Sequence, residues 1–528
     1  MGSMKEKHVS GRRSRWSRVA TLLCVATLTG CVAGPRLIPE EKRQVIDRAV
    51  IERPVGLDIT TFIPNLTAPA GIAFETADNG YKNSVIVAEG AFATVDPRIV
   101  GFKPDGTRFD IYPKHRGLLR ELVSGTPIYG PVGGIAIHNG EVYVSHRDER
   151  GMGVVSAFKY DGTRRTVIAD LPARGDFSVT DLAFHPTNGR LYFGVGAATN
   201  SGVVGIDNWT SGWARDFPRF CDSPAIDLQL RGLIFDAPNP RGGLFGGDDI
   251  ARTGPFQQFN AKNQLVIKQS PTNKPTAAIF SINPGGGDLR VEAHGIRMPA
   301  GLVFSEFAGL FASNQGMELR GSRPVKDDYD VVLRVPGGGT WYGWPDFGAD
   351  LKPITDPWFQ PPDSVVRRST YSQLLFLIDH ERSSLIAPDR ATLVRAVFPS
   401  LSGAAKMTFI PEMPGMPKEY VGRILVALSG DRAPFATDGV PLKGPVGYKV
   451  VAIDPDTTTV SDFIYNTRLL PASKVGNSSP ALERPIDVKF GPDGALYVVD
   501  TGKVVYKDGN AKVEGGTGRV LRVVAMEH

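Results

Sequence analysis

A repeated pattern constrains the fold of this 528-residue chain more than any other feature of its sequence. Six times, a proline or small residue precedes an apolar run that often ends in phenylalanine, and a turn then leads to a second apolar run. The copies begin at Pro69, Pro131, Val179, Pro299, Ala404 and Arg484. Short runs of β-branched and aromatic residues, broken by Gly, Asn, Asp or Pro, are typical of β-hairpins. The sequence therefore predicts six hairpins.

A second set of strand–turn–strand units follows these hairpins, with Pro-Asp-Gly or Gly-Gly turns. The units begin at Arg98, Gly153, Ala277, Asp330, Tyr448 and Gly518. Two hairpins make a four-stranded sheet, and radial repetition of such sheets makes a β-propeller. We therefore predict an all-β fold, a six-bladed β-propeller of four-stranded antiparallel blades. A β-sandwich or a seven-stranded variant is the alternative.

The last unit is one strand short, and the segment that begins at Val55 has the alternating pattern of a strand. Paired with the last unit, this segment would complete the sixth blade and close the ring. We predict a propeller over residues 55–528, preceded by a tether at 31–54, with long insertions at about 205–275 and 348–402. Loops of this length often cover a functional site, and the alternative is decoration without chemistry.

The first 30 residues have the pattern of an export signal. A basic stretch at residues 5–18 precedes a short apolar core, which ends at Leu28-Thr29-Gly30-Cys31. This ending resembles the bacterial lipobox, so we expect a signal peptide at 1–30 and lipidation of Cys31. The lipid would hold the protein on the periplasmic face of the cell envelope, and Val32 after the cysteine favours the outer membrane. The alternative is an ordinary signal peptide with an incidental cysteine.

The charge of the chain argues against a nucleic-acid partner. The chain has 60 Lys and Arg against 55 Asp and Glu, but six of the basic residues and one acidic residue lie in the first 30 positions. The remaining 498 residues therefore carry 54 charges of each sign. A nucleic-acid-binding protein usually carries a basic excess, so we expect no nucleic acid as a partner.

The predicted topology indicates where a functional site lies. Residues just before the inner strand of each blade, and just after its partner strand, meet at one mouth of the central channel. The predicted ring comprises Glu89, His146, Asp148, Asp176, Ala197, Arg297, Gln315, Gly316, Gly430, Asp431, Arg484 and Asp500. Two arginines from different blades suit an anionic group such as a carboxylate, which a guanidinium binds with two hydrogen bonds. The alternative for either arginine is a structural bond to a neighbouring carbonyl or carboxylate.

Two stretches, 294–347 and 484–502, resemble the glucose/sorbosone dehydrogenase family. The resemblance implies an exported six-bladed propeller that oxidises a small sugar, or a related alcohol or aldehyde, with pyrroloquinoline quinone and calcium. It places Arg297 against the quinone oxygens as a catalytic residue, and Gln315 and Arg484 against the cofactor. It also implies that the backbone carbonyls of Gly316 and Met317 hold the calcium ion.

Four positions depart from the family pattern. The family's general-base histidine is replaced by Phe177, and the aspartate that orients it is replaced by Ala197. Met298 and Ile486 stand where the family has an asparagine and a second cofactor arginine. Oxidation of a sugar hydroxyl needs a group that accepts its proton, and neither Phe177 nor Ala197 does so. Asp176 is the predicted replacement base, and the alternative is a solvent-facing loop aspartate.

These observations leave three functions open. The first is a quinone-dependent sugar dehydrogenase. The second is a non-catalytic propeller that binds a glycan, a peptide or an envelope partner, because the histidine and its aspartate are missing. The third is a calcium-dependent lactonase-type propeller, to which Glu89, Asn314 and Asp500 would contribute ligands.

Overall fold

The computed structural model describes residues 34–114, 126–243, 247–262, 264–305, 309–366, 370–413, 415–476, 479–507 and 509–526. The predicted signal peptide and the predicted lipidation site at Cys31 lie outside these residues. Within the described ranges, none of the helices is long and apolar enough to cross a membrane.

Six sheets, each with four antiparallel strands, form the six blades of a β-propeller. From the innermost strand outward, blade 1 consists of Pro69–Phe74, Val85–Glu89, Arg98–Phe102 and Arg108–Tyr112, and blade 2 of Ile135–His138, Glu141–Arg147, Gly153–Phe158 and Arg164–Leu171. Blade 3 consists of Val179–Phe184, Leu191–Val195, Ala278–Ile282 and Arg290–His294, and blade 4 of Pro299–Ser305, Gly309–Asn314, Asp330–Val335 and Val394–Phe398. Blade 5 consists of Ala404–Phe409, Ile424–Leu428, Lys449–Ile453 and Val460–Asn466, and blade 6 of Pro485–Phe490, Leu496–Asp500, Gly518–Ala525 and Leu57–Leu66. The predicted fold class is confirmed.

Strands from both ends of the chain close the ring in blade 6. Leu57–Leu66 pairs antiparallel with Gly518–Ala525, with Leu57 opposite Ala525 and Leu66 opposite Gly518. The segment predicted to fill the missing place therefore does so. A short strand upstream of it, Ile51–Glu52, adds a fifth strand to the outer edge of blade 5.

Blade 4 differs from the sequence expectation. The unit that begins at Asp330 was expected to be two paired strands, but Asp330–Val335 pairs outward with Val394–Phe398 instead. After Val335, three glycines at 337–339 adopt positive φ angles of 84°, 69° and 75°, a conformation that other residues adopt at a cost in energy. They direct the chain to Thr340–Trp341, which pairs in parallel with Arg290–His294 of blade 3. The outer strand of blade 4 thus lies within the range assigned to the second insertion.

The two long insertions pack against each other. The first contains the helices Ile206–Thr210 and Trp213–Asp216 and the paired strands Leu228–Gln229 with Val266–Ile267 and Phe235–Pro238 with Ile250–Thr253. The second contains the 3₁₀ helix Pro357–Phe359 and the helices Asp363–Val366 and Arg390–Leu393. Hydrogen bonds join them, from Arg231 N to Leu377 O at 2.9 Å and from Asp379 N to Gln229 O at 2.8 Å.

The remaining short elements lie in connections outside the blades. They are the 3₁₀ helices Glu40–Lys42, Lys418–Tyr420 and Phe435–Thr437, the helix Ala472–Val475, and the hairpin of Val504–Lys507 with Asn510–Val513.

Apolar side chains of neighbouring blades fill the spaces between them. Tyr143 and Val155 of blade 2, for example, pack with Phe193 and Phe280 of blade 3. Burial of this kind supplies most of the stabilisation of a folded chain. The packed ring fixes the loops that precede the inner strands, and those that follow the second strands, around one mouth.

Candidate functional site

A cavity of about 480 Å³ lies at this mouth, and every blade contributes to its wall. The lining segments include 91–94 after the second strand of blade 1, Arg147 at the corresponding place in blade 2 and 174–180 before blade 3. Blade 4 contributes Gln315, Gly316 and Glu318. Blades 5 and 6 contribute further residues, among them Lys406, Ser429, Gly430, Arg432, Arg484, Ile486 and Thr501. The cavity is therefore a single chamber on the channel axis.

Three segments outside the inner strands cover the chamber. They are the loop at 91–94, residues of the first insertion between 211 and 217, and the tip of the hairpin formed by residues 504–513. The rings of Phe92 and Tyr506 meet edge to face at 6.4 Å, which joins two of these segments. The first insertion therefore takes part in the cavity wall.

The predicted ring divides into residues that line the cavity and residues behind its wall. Asp176, Gln315, Gly316, Gly430 and Arg484 line it. Glu89, His146, Ala197, Arg297, Met317, Asp431 and Asp500 are buried outside its lining. Asp148 is bound to the exposed side chain of Arg150. Topology thus brings all six blades to one mouth, but it does not determine which side chains face the chamber.

Arg297 lies behind the wall, with its guanidinium 4.6 Å from the centre of the Phe177 ring. Its Nε donates to Asn200 O at 3.0 Å and its Nη2 to Asn200 Oδ1 at 2.9 Å. Its Nη1 donates to the Gly316 carbonyl at 2.6 Å, and an ion pair of 3.4 Å joins it to Glu318. Burial lowers the pKa of Arg297 to about 10, so the group is still a cation at neutral pH. The Nε, Nη1 and Nη2 atoms of Arg297 thus all donate hydrogen bonds to acceptors within the protein.

The site does not fit a calcium ion held in the way that the resemblance implies. The Gly316 carbonyl accepts from Arg297, so a divalent cation bound to that oxygen would lie against another positive charge. The amide of Met317, whose carbonyl is the other predicted ligand, is anchored to Asp328 Oδ2 at 2.7 Å. The described ranges hold no group of three or more His, Cys, Asp or Glu that could bind a metal. A guanidinium of the protein supplies the positive charge at this place.

Asp176 is engaged by three donors. Its Oδ1 accepts from Asn208 Nδ2 at 3.0 Å and from Trp213 Nε1 at 2.7 Å, and its Oδ2 accepts from Arg320 at 2.5 Å. Its side chain is 6% exposed. A substrate proton therefore has to compete with three existing hydrogen bonds for either oxygen.

A compensated network of charges surrounds Asp176. Arg320 binds Asp176, Asp207 and Glu318, and Glu318 also pairs with Arg432. Burial alone would raise the pKa of Glu318, but Arg432, Arg320 and Arg297 hold it well below its usual range. Three carboxylates thus face three guanidiniums. The attraction between opposite charges offsets the free-energy cost of removing them from water. The ion pairs of this network therefore hold its side chains in place at the wall.

Arg484 and Gln315 line the cavity but are bound to backbone carbonyls. Arg484 donates to Ser429 O at 3.1 Å and to Asp431 O at 2.9 Å, and Gln315 Nε2 donates to Ala404 O at 3.0 Å. The Arg484 guanidinium lies 5.2 Å from the Tyr448 ring and 5.3 Å from the Tyr506 ring. For both predicted arginines the structure therefore shows bonds to neighbouring carbonyls.

The three side chains considered as lactonase-type ligands each accept a hydrogen bond from a backbone amide. They are Glu89, Asn314 and Asp500. The distances are 2.6 Å from Thr67 N to Glu89, 2.9 Å from Met298 N to Asn314 and 2.8 Å from Arg484 N to Asp500. All three side chains are buried and do not line the cavity.

Five of the six cations that line the cavity were not predicted from the sequence, and for two of them, Arg147 and Lys406, the sequence contains a signal. Arg147 lies between His146 and Asp148, both of which were placed at the mouth, so its position as the last residue of a second strand was the available signal. Lys406 interrupts an apolar inner strand, Ala404–Phe409, which is itself an unusual pattern. His146, by contrast, is held within blade 2 by Ser156 Oγ at 2.8 Å.

Lys406 forms the floor of the chamber. From blade 5 it reaches across the axis to the Ala70 carbonyl of blade 1, and it lies 4.0 Å from Asp181 of blade 3. Asp487 of blade 6 accepts from the Ile72 amide of blade 1 at 3.1 Å. Lys489 is the fourth charged group, and Asp487 and Asp181 raise its pKa against the effect of burial. The inner strands of four blades are thus tied together by a charge-balanced group beneath the cavity.

No family model matches the chain, and no curated protein is significantly similar to it. The chain is similar to three solved structures. A Trichoderma reesei protein of carbohydrate-active enzyme family AA12 is 12% identical, with 90% of this chain and 98% of that one covered and a TM-score of 0.50. The PQQ domain of Coprinopsis cinerea pyranose dehydrogenase is 13% identical over 90% and 97% of the chains, with a TM-score of 0.49. A putative oxidoreductase (glucose dehydrogenase) of Thermus thermophilus is 17% identical over 89% and 100%, with a TM-score of 0.41.

At this identity the likeness to the Trichoderma reesei protein shows the fold alone, and that fold is a six-bladed β-propeller. The resemblance seen in the sequence is thereby confirmed at the level of the fold. In this propeller, the wall that faces the chamber near the predicted catalytic position is apolar. Phe177, Met298 and Ile486 line the cavity, and Ala197 is fully buried with its amide donating to Arg297 O at 2.7 Å. This part of the wall offers no side-chain proton acceptor.

Proposed function

We propose that the chain is an envelope-anchored propeller that binds a small sugar-like molecule in its mouth cavity, without oxidising it through a quinone and calcium. The observation that carries the proposal is the bond between Arg297 and the Gly316 carbonyl, behind the ring of Phe177. The arginine and the carbonyl that the resemblance assigns to quinone and calcium are bound to each other.

The cavity supports a small-molecule ligand. Its volume of about 480 Å³ falls in the range of pockets that enclose one such molecule. Apolar surfaces from Phe177, Met298 and Ile486 lie beside polar groups such as Gln315 and Ser178. This mixture suits a sugar, whose ring has apolar faces and whose hydroxyl groups need hydrogen-bond partners. The shared fold of a carbohydrate-active enzyme favours the same ligand class.

The predicted sugar dehydrogenase is the second candidate. It would oxidise a sugar, or a related alcohol or aldehyde, with pyrroloquinoline quinone and calcium, using Arg297 and Asp176. The observation in its favour is that Asp176, Gln315, Gly316 and Arg484 surround one cavity.

Thermal unfolding of the purified protein distinguishes the two candidates. Melting temperatures are measured with pyrroloquinoline quinone and calcium, with a chelator, and with a panel of aldoses. A ligand at a hundred times its Kd stabilises the native state by about 2.7 kcal/mol, so binding registers without catalysis. We expect a rise with sugars and no change with quinone, calcium or chelator. A calcium-dependent rise with the quinone, together with reduction of a dye by aldoses, would establish the dehydrogenase instead.

We also propose that a lipid on Cys31 holds the protein on the periplasmic face of the outer membrane. The supporting pattern is Leu28-Thr29-Gly30-Cys31 after a short apolar core. In a bacterial host, Cys31→Ala is expected to move the protein from the membrane fraction to the soluble fraction and to abolish labelling with a radioactive fatty acid. Cys221→Ala is the matched control, since Cys221 is half-buried beside Phe256 O in the first insertion. Unchanged membrane association of Cys31→Ala would contradict the anchor.

A further inference from the structure

The charged residues that line the cavity do not balance. Six cations face it, namely Arg147, Arg174, Arg320, Lys406, Arg432 and Arg484, against four carboxylates, namely Asp176, Asp216, Glu318 and Asp330. Arg320 and Lys406 have counter-charges behind the wall, at Asp207 and Asp181. The cations of the lining that form no ion pair among the described residues are Arg147, Arg174 and Arg484. A concave site lined by one sign of charge attracts ligands of the opposite sign.

We infer that Arg147 binds a carboxylate, and therefore that the sugar-like ligand of this cavity is an acidic one. The inference rests on the proposed function for the sugar, and on the surroundings of Arg147 for the acid.

Unlike three other arginines at the site, Arg147 forms no ion pair with a described residue. Arg297, Arg320 and Arg432 each pair with a carboxylate. Arg147 instead makes two long hydrogen bonds, from Nε to Ser178 Oγ at 3.3 Å and from Nη2 to Gly175 O at 3.4 Å. Burial alone lowers its pKa to about 10, with no described carboxylate opposing that effect, so it remains an uncompensated cation at neutral pH. A partly desolvated guanidinium in this state gains most from an anionic ligand.

A second arginine in the wall also has an unused donor. Arg484 is 8% exposed, and its buried Nε has no hydrogen-bond partner among the described residues. Buried donors without acceptors cost free energy, and they are expected where a ligand or water completes the site. Beside Arg147, the Ser178 hydroxyl lines the cavity and supplies one further donor to a bound carboxylate.

Calorimetric titration with matched pairs of sugars tests the inference. D-glucuronate and D-galacturonate are compared with D-glucose and D-galactose at physiological ionic strength, for the unaltered protein, Arg147→Gln and Arg150→Gln. Arg150 belongs to the same blade and forms exposed ion pairs with Asp148 and Asp170, so its substitution removes an equal charge outside the cavity. Charge-assisted hydrogen bonds favour the acidic sugar by about tenfold or more. We expect Arg147→Gln to abolish that preference and Arg150→Gln to keep it.

The outcomes separate the inference from the proposed function. Equal affinity for acidic and neutral sugars, or an acidic preference that survives in Arg147→Gln, overturns the inference and leaves the proposed function intact. Binding of lactate or succinate through Arg147, without binding of any sugar, supports the carboxylate site and contradicts the sugar. No binding of any of these probes contradicts both. Should Arg147→Gln fail to fold, Arg147→Lys keeps the charge but loses the two-pronged geometry, and a reduced acidic preference is then expected.

Discussion

Arg297 binds the carbonyl oxygen that the resemblance assigns to a calcium ion. Its guanidinium joins the backbone and side chain of Asn200, the Gly316 carbonyl and the Glu318 carboxylate. Asn200 and the segment of Gly316 and Glu318 lie far apart in the sequence, so the arginine fixes their relative positions. A metal ion at the same carbonyl could be removed by a chelator, whereas a guanidinium of the chain cannot.

Removal of this internal cation is expected to destabilise the protein. Arg297→Met leaves Glu318 with one counter-charge fewer and leaves buried acceptors without donors, which costs about 3–5 kcal/mol. Urea unfolding followed by circular dichroism gives the free energy of unfolding. Arg290→Gln is the control, because Arg290 is exposed and paired with Asp288 at 2.6 Å. If the two variants unfold at the same urea concentration, the structural role of Arg297 is refuted.

A buried carboxyl group gives the stability a pH dependence. Asp222 accepts from Ala198 N and from Thr199 Oγ1, both at 2.6 Å, and burial raises its pKa to about 6. The unfolded chain releases this proton near pH 4, so the native state binds more protons between about pH 4 and pH 6. The contribution of Asp222 to stability is therefore complete below about pH 4 and is lost as the pH rises through about 6, by up to ~1.4 kcal/mol per pH unit.

Asp222→Asn is expected to remove this contribution to the slope. The free energy of unfolding is measured in urea at several values between pH 4.5 and 7.5, about the interval over which the group changes charge. The exposed Asp248, replaced by Asn, controls for the loss of one carboxylate. An identical pH slope in Asp222→Asn and the unaltered protein would show that Asp222 does not titrate in this range.

At the level of single residues, the sequence predicted positions better than contacts. The repeat placed Asp176, Gln315, Gly316 and Arg484 around one cavity, as the structure shows. It did not reveal that Arg297 turns away from the cavity, because its acceptors at Asn200 and Gly316 come from distant parts of the chain. Partners of a long side chain depend on which loops meet in three dimensions, and no local pattern encodes them.

The strand Leu57–Leu66 comes early in the sequence but pairs with the last strand of the chain. It supplies the fourth strand of blade 6 and buries side chains towards both neighbouring blades. Ile59 packs into the apolar cluster of blades 5 and 6, and Ile63 into that of blades 6 and 1. Without this strand, Gly518–Ala525 would be an unpaired edge.

Truncation of either isoleucine is expected to weaken the whole ring. Both side chains are 0% exposed, and removing buried methyl groups of this kind costs about 2–5 kcal/mol. Ile59→Ala and Ile63→Ala are compared by urea unfolding with Thr61→Ala, whose partly exposed side chain belongs to the same strand and costs about 0.5 kcal/mol or less. Wild-type stability in both isoleucine variants would show that the closing strand is not part of the cooperative core.

In blade 4, the repeat in the sequence did not predict which strands pair with each other. Two apolar runs with a glycine turn between them have the same local pattern whether they pair with each other or separate. Here the run after Gly339 pairs with blade 3, and the outer strand arrives some fifty residues later, at Val394–Phe398. The five other blades have few competing segments, so their pairing followed from chain order.

In the molecule as a whole, the insertions are part of the folded core. Many of their buried residues form an apolar cluster with the loops of blades 3 and 4, including Phe177 of the cavity wall. A smaller cluster joins Trp213 and Ala214 of the first insertion to Ala198, which follows the second strand of blade 3. Five tryptophans lie in the described residues, all in the insertions or in the connection that follows blade 4's third strand: Trp209, Trp213, Trp341, Trp344 and Trp358. Tryptophan fluorescence therefore reports on this side of the molecule, whereas circular dichroism reports on the sheets of all six blades.

We expect the two signals to change together on unfolding. Both apolar clusters of the insertions include residues of the blade loops, Phe177 in one and Ala198 in the other, so we expect the insertions and the ring to unfold in one cooperative transition. Fluorescence and far-UV circular dichroism are recorded across one urea titration. Trp358→Phe tests the assignment of the fluorescence signal, since Trp358 is 44% exposed and its loss should leave the midpoint unchanged. A fluorescence midpoint below that of circular dichroism would show that the insertions unfold independently.

The reach of Lys406 across the axis makes the chamber blind-ended on that side. A bound molecule has to depart by the opening through which it came, so a second molecule waits until the first has gone. Exchange is then strictly sequential. The hairpin carrying Tyr506 borders that opening, and any alteration that widens it accelerates arrival and departure alike while the balance between them stays the same.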